Sequence, residues 1–275
     1  RPSRPGQCPY HCRMDLIDVN GSRLEVLRIA PPVTATSLAP IVFLHEGLGS
    51  VAMWRGRDSS WPHDVCQATG RAGLVYSRRG YGQSDPVANV RGSGRLGPDY
   101  MHEEAWAVLP ELLRILGVAR PVLLGHSDGG SIALLHASRY PVQACIVMAP
   151  HVMVEDISVE SIRQTRAAWE AGGLRERLAR YHRDVDGAFW QWNDVWLSEA
   201  FRNFDIRGDC RRIEAPVMAI QGVDDAYGTM AQIEQIAPTQ GSFEMHQLSG
   251  CGHSPHRDQP ARTLELVRDF LKAQS

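Results

Sequence analysis

The chain is almost without lysine: of its 29 lysine and arginine residues, Lys272 is the single lysine. That skew fits a GC-rich, bacterial coding bias and has no chemistry of its own. It also lacks an excess of either charge, because 29 basic residues against 31 acidic ones leave a formal net charge of −2. Nucleic acid or an anionic membrane surface would select for a basic excess, so neither partner is expected. No apolar run reaches the roughly 18–20 residues of a membrane span. The basic start, Arg1-Pro2-Ser3-Arg4, has no apolar stretch behind it, so a cytoplasmic location is expected over secretion. The six cysteines, Cys8, Cys12, Cys66, Cys145, Cys210 and Cys251, are scattered along the chain. A disulfide scaffold crowds them into a short sequence, so reduced thiols are expected. Cys8 and Cys12 flank His11 like half of a metal site. No second pair follows at zinc spacing, and residues 1–13 are expected to be a flexible tail with no metal.

What is present reads as an alternating α/β chain. Residues 14–19 and 23–29 alternate apolar and polar around Asn20-Gly21, a pair suited to the positive φ angles of a tight hairpin. Asn20-Gly21-Ser22 is also a glycosylation sequon, but with no secretory signal expected it is not expected to be used. Short apolar runs follow at 41–44, 74–76, 122–124, 144–148 and 217–220, as buried parallel strands require. Helical spacing lies between them. Leu109, Leu112, Leu113 and Leu116 share one face, and Leu264, Val267, Phe270 and Leu271 nearly repeat the pattern. The expectation is a mostly parallel sheet flanked by helices, with residues 14–150 and 214–275 forming one core domain. Residues 151–213 break the rhythm. They are helix-like and aromatic, and are expected to form a small helical cap.

The sharpest motif is Gly125-His126-Ser127-Asp128-Gly129. It follows an apolar strand and opens a buried helix, the context in which Gly-x-Ser-x-Gly holds a serine on a strained, exposed turn. A serine hydroxyl needs a base. His253 lies on a late Gly/Pro loop between a strand at 243–248 and the last helix. His126 neighbours the serine, His136 falls in a buried helix and His246 lies within a strand, so each fits the part less well. His253 and His256 also spell a two-histidine metal pair, but they have neither the glutamate nor the helix of such sites. The base in turn needs a carboxylate to fix its tautomer. That acid should end the strand at 216–221, where Gly222-Val223-Asp224-Asp225 offers two, and Gly-x-x-Asp spacing favours Asp225.

The order Ser127, Asp225, His253 resembles the α/β-hydrolase fold superfamily, specifically its serine esterase and lipase-like members with a helical cap. The resemblance extends over about residues 14–273. His45-Glu46-Gly47-Leu48-Gly49 stands where that family has His-Gly-x-x-Gly, and Arg79-Gly80-Tyr81-Gly82-Gln83-Ser84 is similar to its Arg-Gly-x-Gly-x-Ser. The resemblance implies an oxyanion hole made of the Gly47 and Asp128 backbone N–H groups. Glu46 departs from the family glycine. Its carboxylate has three readings: it repels an acidic substrate, binds a basic one, or turns away to pair with an arginine. Gly92-Ser93-Gly94-Arg95-Leu96-Gly97 spells a dinucleotide fingerprint outside the required strand–helix context. It is read as a flexible loop near the mouth of the site, and no cofactor is expected.

These readings converge on a cofactor-independent serine hydrolase that cleaves a small to medium ester or thioester through an acyl-enzyme. The alternatives are hydrolysis of a carbon–carbon bond in aromatic degradation products by the same triad, and a non-catalytic small-molecule receptor. The expected partner is a small-molecule substrate, and a homodimer is compatible with the sequence. Candidate pocket residues are Glu46, His151, Trp192 and Trp196. The two tryptophans share one helical face with Phe189, and serve either as the roof of the pocket or as glue between cap and sheet.

Overall fold

The computed structural model describes residues 12–32, 37–56 and 59–274. Cys8 and His11 lie outside them. Strand β1 (Cys12–Val19) begins two residues before the alternation predicted, because Cys12 and Arg13 still pair with Ile29 and Arg28 of β2 (Ser22–Ile29). The expected tail therefore loses its last two residues to the sheet. Asn20 and Gly21 turn the hairpin at φ of 54° and 80°, the two positive values that match strand twist in a two-residue turn.

Six further strands complete the sheet: β3 (Ile41–Leu44), β4 (Gly73–Tyr76), β5 (Val122–His126), β6 (Ala144–Met148), β7 (Val217–Gly222) and β8 (Phe243–Leu248). Their order is β1-β2-β4-β3-β5-β6-β7-β8. The hairpin strands pair antiparallel, and β3 to β8 pair parallel. The alternation of side chains across the pleat splits each inner strand between two cores. Val42 and Leu44 join one hydrophobic cluster, and Ile41 and Phe43 the other. This is why the inner strands read as unbroken apolar runs.

The elbow helix (Asp128–Ala137) is buried along its whole length, on the face that also buries Leu109, Leu112 and Leu113. The opposite face is covered by the helices Trp61–Thr69 and Pro260–Ala273. The Trp61 indole N–H ties them together by donating to the Pro260 carbonyl at 3.2 Å. Between β6 and β7 the chain leaves the sheet to form the helical cap, whose main helices are Asp156–Glu170, Leu174–Ala179 and Val185–Trp196. A bridge between Met153 and Asp205 closes the neck of this insertion.

The winding direction of the parallel strands reverses at β3. From β3 the chain steps outward to β4 and then returns to β5 on the other side of β3. At such a switch point the loops leaving neighbouring strands part and open a crevice at their carboxyl ends. Leu44 is paired with Gly125, so the loop at His45 and the elbow at Ser127 emerge side by side.

His136 sits deep in the elbow helix. Its Nδ1–H donates to the Ala105 carbonyl at 2.9 Å, and burial lowers its pKa to about 4. A histidine in the unfolded chain titrates near 6.5. The folded state therefore binds fewer protons, and stability is expected to fall as pH drops from about 6.5 to 4. His136→Gln removes this contribution. The slope of unfolding free energy against pH, measured by urea titration over that window, should become shallower by up to about 1.4 kcal/mol per pH unit. An unchanged slope would overturn the assignment.

Candidate active site

The site begins with a strained residue. Ser127 has φ 53° and ψ −120°, a conformation that a non-glycine residue holds only when its surroundings impose it. They do so by close backbone approach. A Cβ at Gly125 would collide with the Gly129 carbonyl, and one at Gly129 would collide with the Leu44 carbonyl. The motif's two glycines thus let β5, the elbow helix and β3 meet, and the serine between them is pushed out of the turn.

The structure brings Ser127, His253 and Asp225 into one line. Ser127 Oγ is 3.0 Å from His253 Nε2, and His253 Nδ1 is 2.9 Å from each carboxylate oxygen of Asp225. The Asp225 side chain is 1% exposed. Its Oδ1 also accepts the Tyr227 N–H at 2.8 Å, which fixes the carboxylate from a second direction. Asp224 is exposed, and its backbone N–H donates to the Cys251 carbonyl. Of the two aspartates, only Asp225 touches the histidine.

Beside Ser127 stand the two amides expected for an oxyanion hole. Asp128 is the first residue of the elbow helix, so its N–H has no acceptor within the helix. The Gly47 loop is braced from below. His45 donates Nδ1–H to the Glu46 carbonyl at 2.6 Å and accepts the Arg78 N–H at Nε2, 3.0 Å away. The Arg78 guanidinium, itself buried, donates to the His45 and Glu46 carbonyls at 2.5 and 3.2 Å. Arg78 has no place in the sequence motifs. The one signal for it is the Arg78-Arg79 pair at the end of β4.

The Glu46 carboxylate pairs with Arg257 at 3.1 Å and lies 3.3 Å from His126 Nδ1. His126 donates Nε2–H to the His253 carbonyl at 2.7 Å. Burial holds its pKa well below the usual histidine range, and the nearby Arg257 guanidinium adds to the effect. The contact with Glu46 is therefore not an ion pair. His151 and His256 are likewise kept neutral by burial, His151 with a pKa lowered to about 3.

Above Ser127 lies a cavity of about 410 Å³ that the four candidate pocket residues, Glu46, His151, Trp192 and Trp196, all border. The sequence reading missed its apolar walls at Leu48, Ile162 and Leu178, which look like ordinary core positions until the fold places them. The Trp196 indole N–H donates to Asp128 Oδ1 at 3.3 Å, while Tyr100 donates to Oδ2 at 2.5 Å. Burial raises the Asp128 pKa, opposed by the charge of Arg78. The loop at 91–98 does not border this cavity. Arg91 stacks on Trp190 at 3.7 Å and pairs with Asp194 at 3.0 Å. The expected free loop at the mouth is thus pinned against the cap, where it borders a separate pocket with Tyr81 and Glu103. Among the described residues, no group of three or more His, Cys, Asp or Glu side chains stands together as a metal site.

Comparison with known proteins agrees with this architecture. The family model described as the alpha/beta hydrolase family matches residues 41–266. A curated relative, an sn-1-specific diacylglycerol lipase from Mus musculus, is 23% identical, with 86% of this chain and 81% of the relative covered. Two solved structures share the fold. A bacterial membrane phospholipase A superposes with a TM-score of 0.73 at 17% identity, covering 96% of this chain and 86% of its own. The enol-lactonase from Burkholderia xenovorans superposes with a TM-score of 0.72 at 19% identity, covering 94% of this chain and all of its own.

Gly47 has a further constraint: a Cβ there would run into the Trp192 indole. Gly47→Ala is therefore expected to push Trp192 out of place and lower kcat/KM on any turned-over substrate by tenfold or more. It should also lower Tm. In a Trp192→Leu background the same Gly47→Ala change should cost much less Tm, because the smaller side chain leaves room for the methyl group. If Gly47→Ala lowers Tm equally in both backgrounds, the indole is not what requires glycine.

Proposed function

The chain belongs to the alpha/beta hydrolase family, and we propose that it is a cofactor-independent serine hydrolase that cleaves a carboxylic ester or thioester through an acyl-enzyme. One observation carries this reading: the unbroken hydrogen-bonded line Asp225–His253–Ser127 at the floor of a cavity, beside amides suited to an oxyanion. The buried thiols are poor rivals. Burial raises the pKa of Cys251 to about 11 and that of Cys210 to about 12, so neither supplies thiolate near neutral pH.

In the first half-reaction Ser127 Oγ attacks the acyl carbon and its proton passes to His253 Nε2. Asp225 holds Nδ1–H and balances the imidazolium that forms. The carbonyl oxygen becomes an oxyanion facing the Gly47 and Asp128 N–H groups, each donor worth about 3–4 kcal/mol in such sites. The tetrahedral intermediate expels the alcohol or thiol, which takes the proton from His253. Water then attacks the acyl-enzyme with His253 again as base. The acid leaves and Ser127 regains its proton. A reducing, cytoplasmic setting belongs to the same reading, which fits the buried thiols of Cys66, Cys145, Cys210 and Cys251.

Ser127→Ala is expected to lose about 10³-fold or more in kcat with the fold intact. A fluorophosphonate should label Ser127 alone, and continuous turnover of an ester panel should separate an enzyme from a receptor that stops after one event. Asp225→Asn should cost far more activity than Asp224→Asn, and the reverse order would overturn the choice of acid. His126, His151 and His256 stay neutral in moderate acid. The acid limb of kcat/KM should therefore follow one proton, with unit slope on logarithmic axes. A slope of two would place a second histidine in the chemistry.

A further inference from the structure

We propose that the cap supplies an anion-binding rim, and that the substrate is an ester or thioester bearing a negative charge away from the scissile bond. This rests on the ester-hydrolase reading and deepens it. Arg177 and Arg180 both border the cavity above Ser127. In the cap helix Leu174–Ala179, Leu174, Arg177 and Leu178 stand at offsets 0, 3 and 4, so one helical face presents two apolar side chains and a guanidinium together. All three border the cavity, as does Arg180 just beyond the helix. Off this face, Arg175 is engaged by Asp186 at 2.6 Å.

The charge balance around the cavity gives these arginines their meaning. Elsewhere on the cap, Arg166 pairs with Glu170 and Arg202 with Asp156. Neither Arg177 nor Arg180 has an acidic partner among the described residues; Arg180 instead lies 4.8 Å from the centroid of the Tyr181 ring. The carboxylates that border the cavity are already used. Glu46 is held by Arg257, and Asp128 accepts from Tyr100 and Trp196. The result is a largely apolar chamber in which, among the described residues, the charges left unpaired at the border are two solvent-exposed guanidinium groups on its cap-side rim. The dipole of a helix favours cations near its C-terminus, which accounts for arginine in the last turn. It does not account for both facing the cavity without an acid. A guanidinium fork suits carboxylate and phosphate alike. The anion is therefore either a carboxylate on the acyl chain or a phosphate on the leaving group.

Two substrate pairs distinguish these sources. The first is p-nitrophenyl hydrogen suberate against p-nitrophenyl octanoate, which differ by a terminal carboxylate. The second is octanoyl-4′-phosphopantetheine against octanoyl-pantetheine, which differ by the phosphate of the leaving group. In the wild-type protein one pair should show an anionic preference of about tenfold in kcat/KM at low salt, shrinking as ionic strength rises. The double variant Arg177→Gln/Arg180→Gln should abolish that preference, while Arg175→Gln should keep it. No anionic preference in either pair, or one that survives the double variant, overturns the proposal. Failure to turn over all four substrates would instead overturn the ester reading. The rim is then tested by binding in a Ser127→Ala background, using tryptophan fluorescence with suberic acid monoamide against octanamide and 4′-phosphopantetheine against pantetheine. Tighter binding of the anion in one pair that is lost in the double variant supports the rim, and equal affinities in both pairs refute it.

Discussion

The whole site depends on the closeness of three backbones at the turn after β5. The strand, the elbow helix and the end of β3 touch through atoms that leave no room for a side chain at Gly125 or Gly129. That contact sets the positive φ of Ser127. It also puts the loop after β3 directly beside the elbow, because Leu44 and Gly125 are register partners. Loosening either glycine would move the serine, one proposed oxyanion amide and the elbow helix together. The strain at Ser127 is sustained by a fully buried helix and two hydrophobic cores, not by local chemistry.

The cap is tied to this same point. Trp192 lies against Gly47, and Trp196 donates to the side chain of Asp128, so each tryptophan touches a residue whose backbone amide is proposed to bind the oxyanion. Both also border the cavity, and Trp196 is packed against Phe201 with ring centroids 4.7 Å apart. Roof and glue are therefore not separable roles for them. A side chain that closes the chamber must be held by the rest of the cap, and the same contact that holds it sets how tightly the chamber closes.

The parts of the molecule legible in the sequence are those set by short-range rules. The hairpin at Asn20-Gly21, the buried strands and the elbow all follow from turn chemistry and from strands covered on both faces. The contact of Asp225, rather than Asp224, with His253 was legible from the Gly-x-x-Asp spacing just beyond β7. The walls of the cavity were not. Ile162 and Leu178 lie far from Ser127 in sequence, and nothing local distinguishes a cavity wall from a core contact. The loop at 91–98 misled for a related reason. Its glycines suggest freedom, but Arg91 meets Trp190 and Asp194 a hundred residues away. Arg78 was hidden because its work is done by a side chain reaching back to carbonyls of another loop.

Glu46 shows how a departure from a family pattern is absorbed. A carboxylate beside a proposed oxyanion site would oppose the charge that develops there if it stood alone. Here Arg257, four residues beyond His253, pairs with one of its oxygens and also donates to the Met53 carbonyl at 3.1 Å. The other oxygen faces His126, whose opposite nitrogen holds the His253 carbonyl. The glutamate thereby links the loop after β3 to the segment that carries His253, a connection that glycine cannot make. Its charge is compensated by the Arg257 guanidinium. The cavity is then free to take its electrostatic character from the cap arginines, and the carboxylate that looked like a barrier to an acidic substrate becomes part of the frame around it.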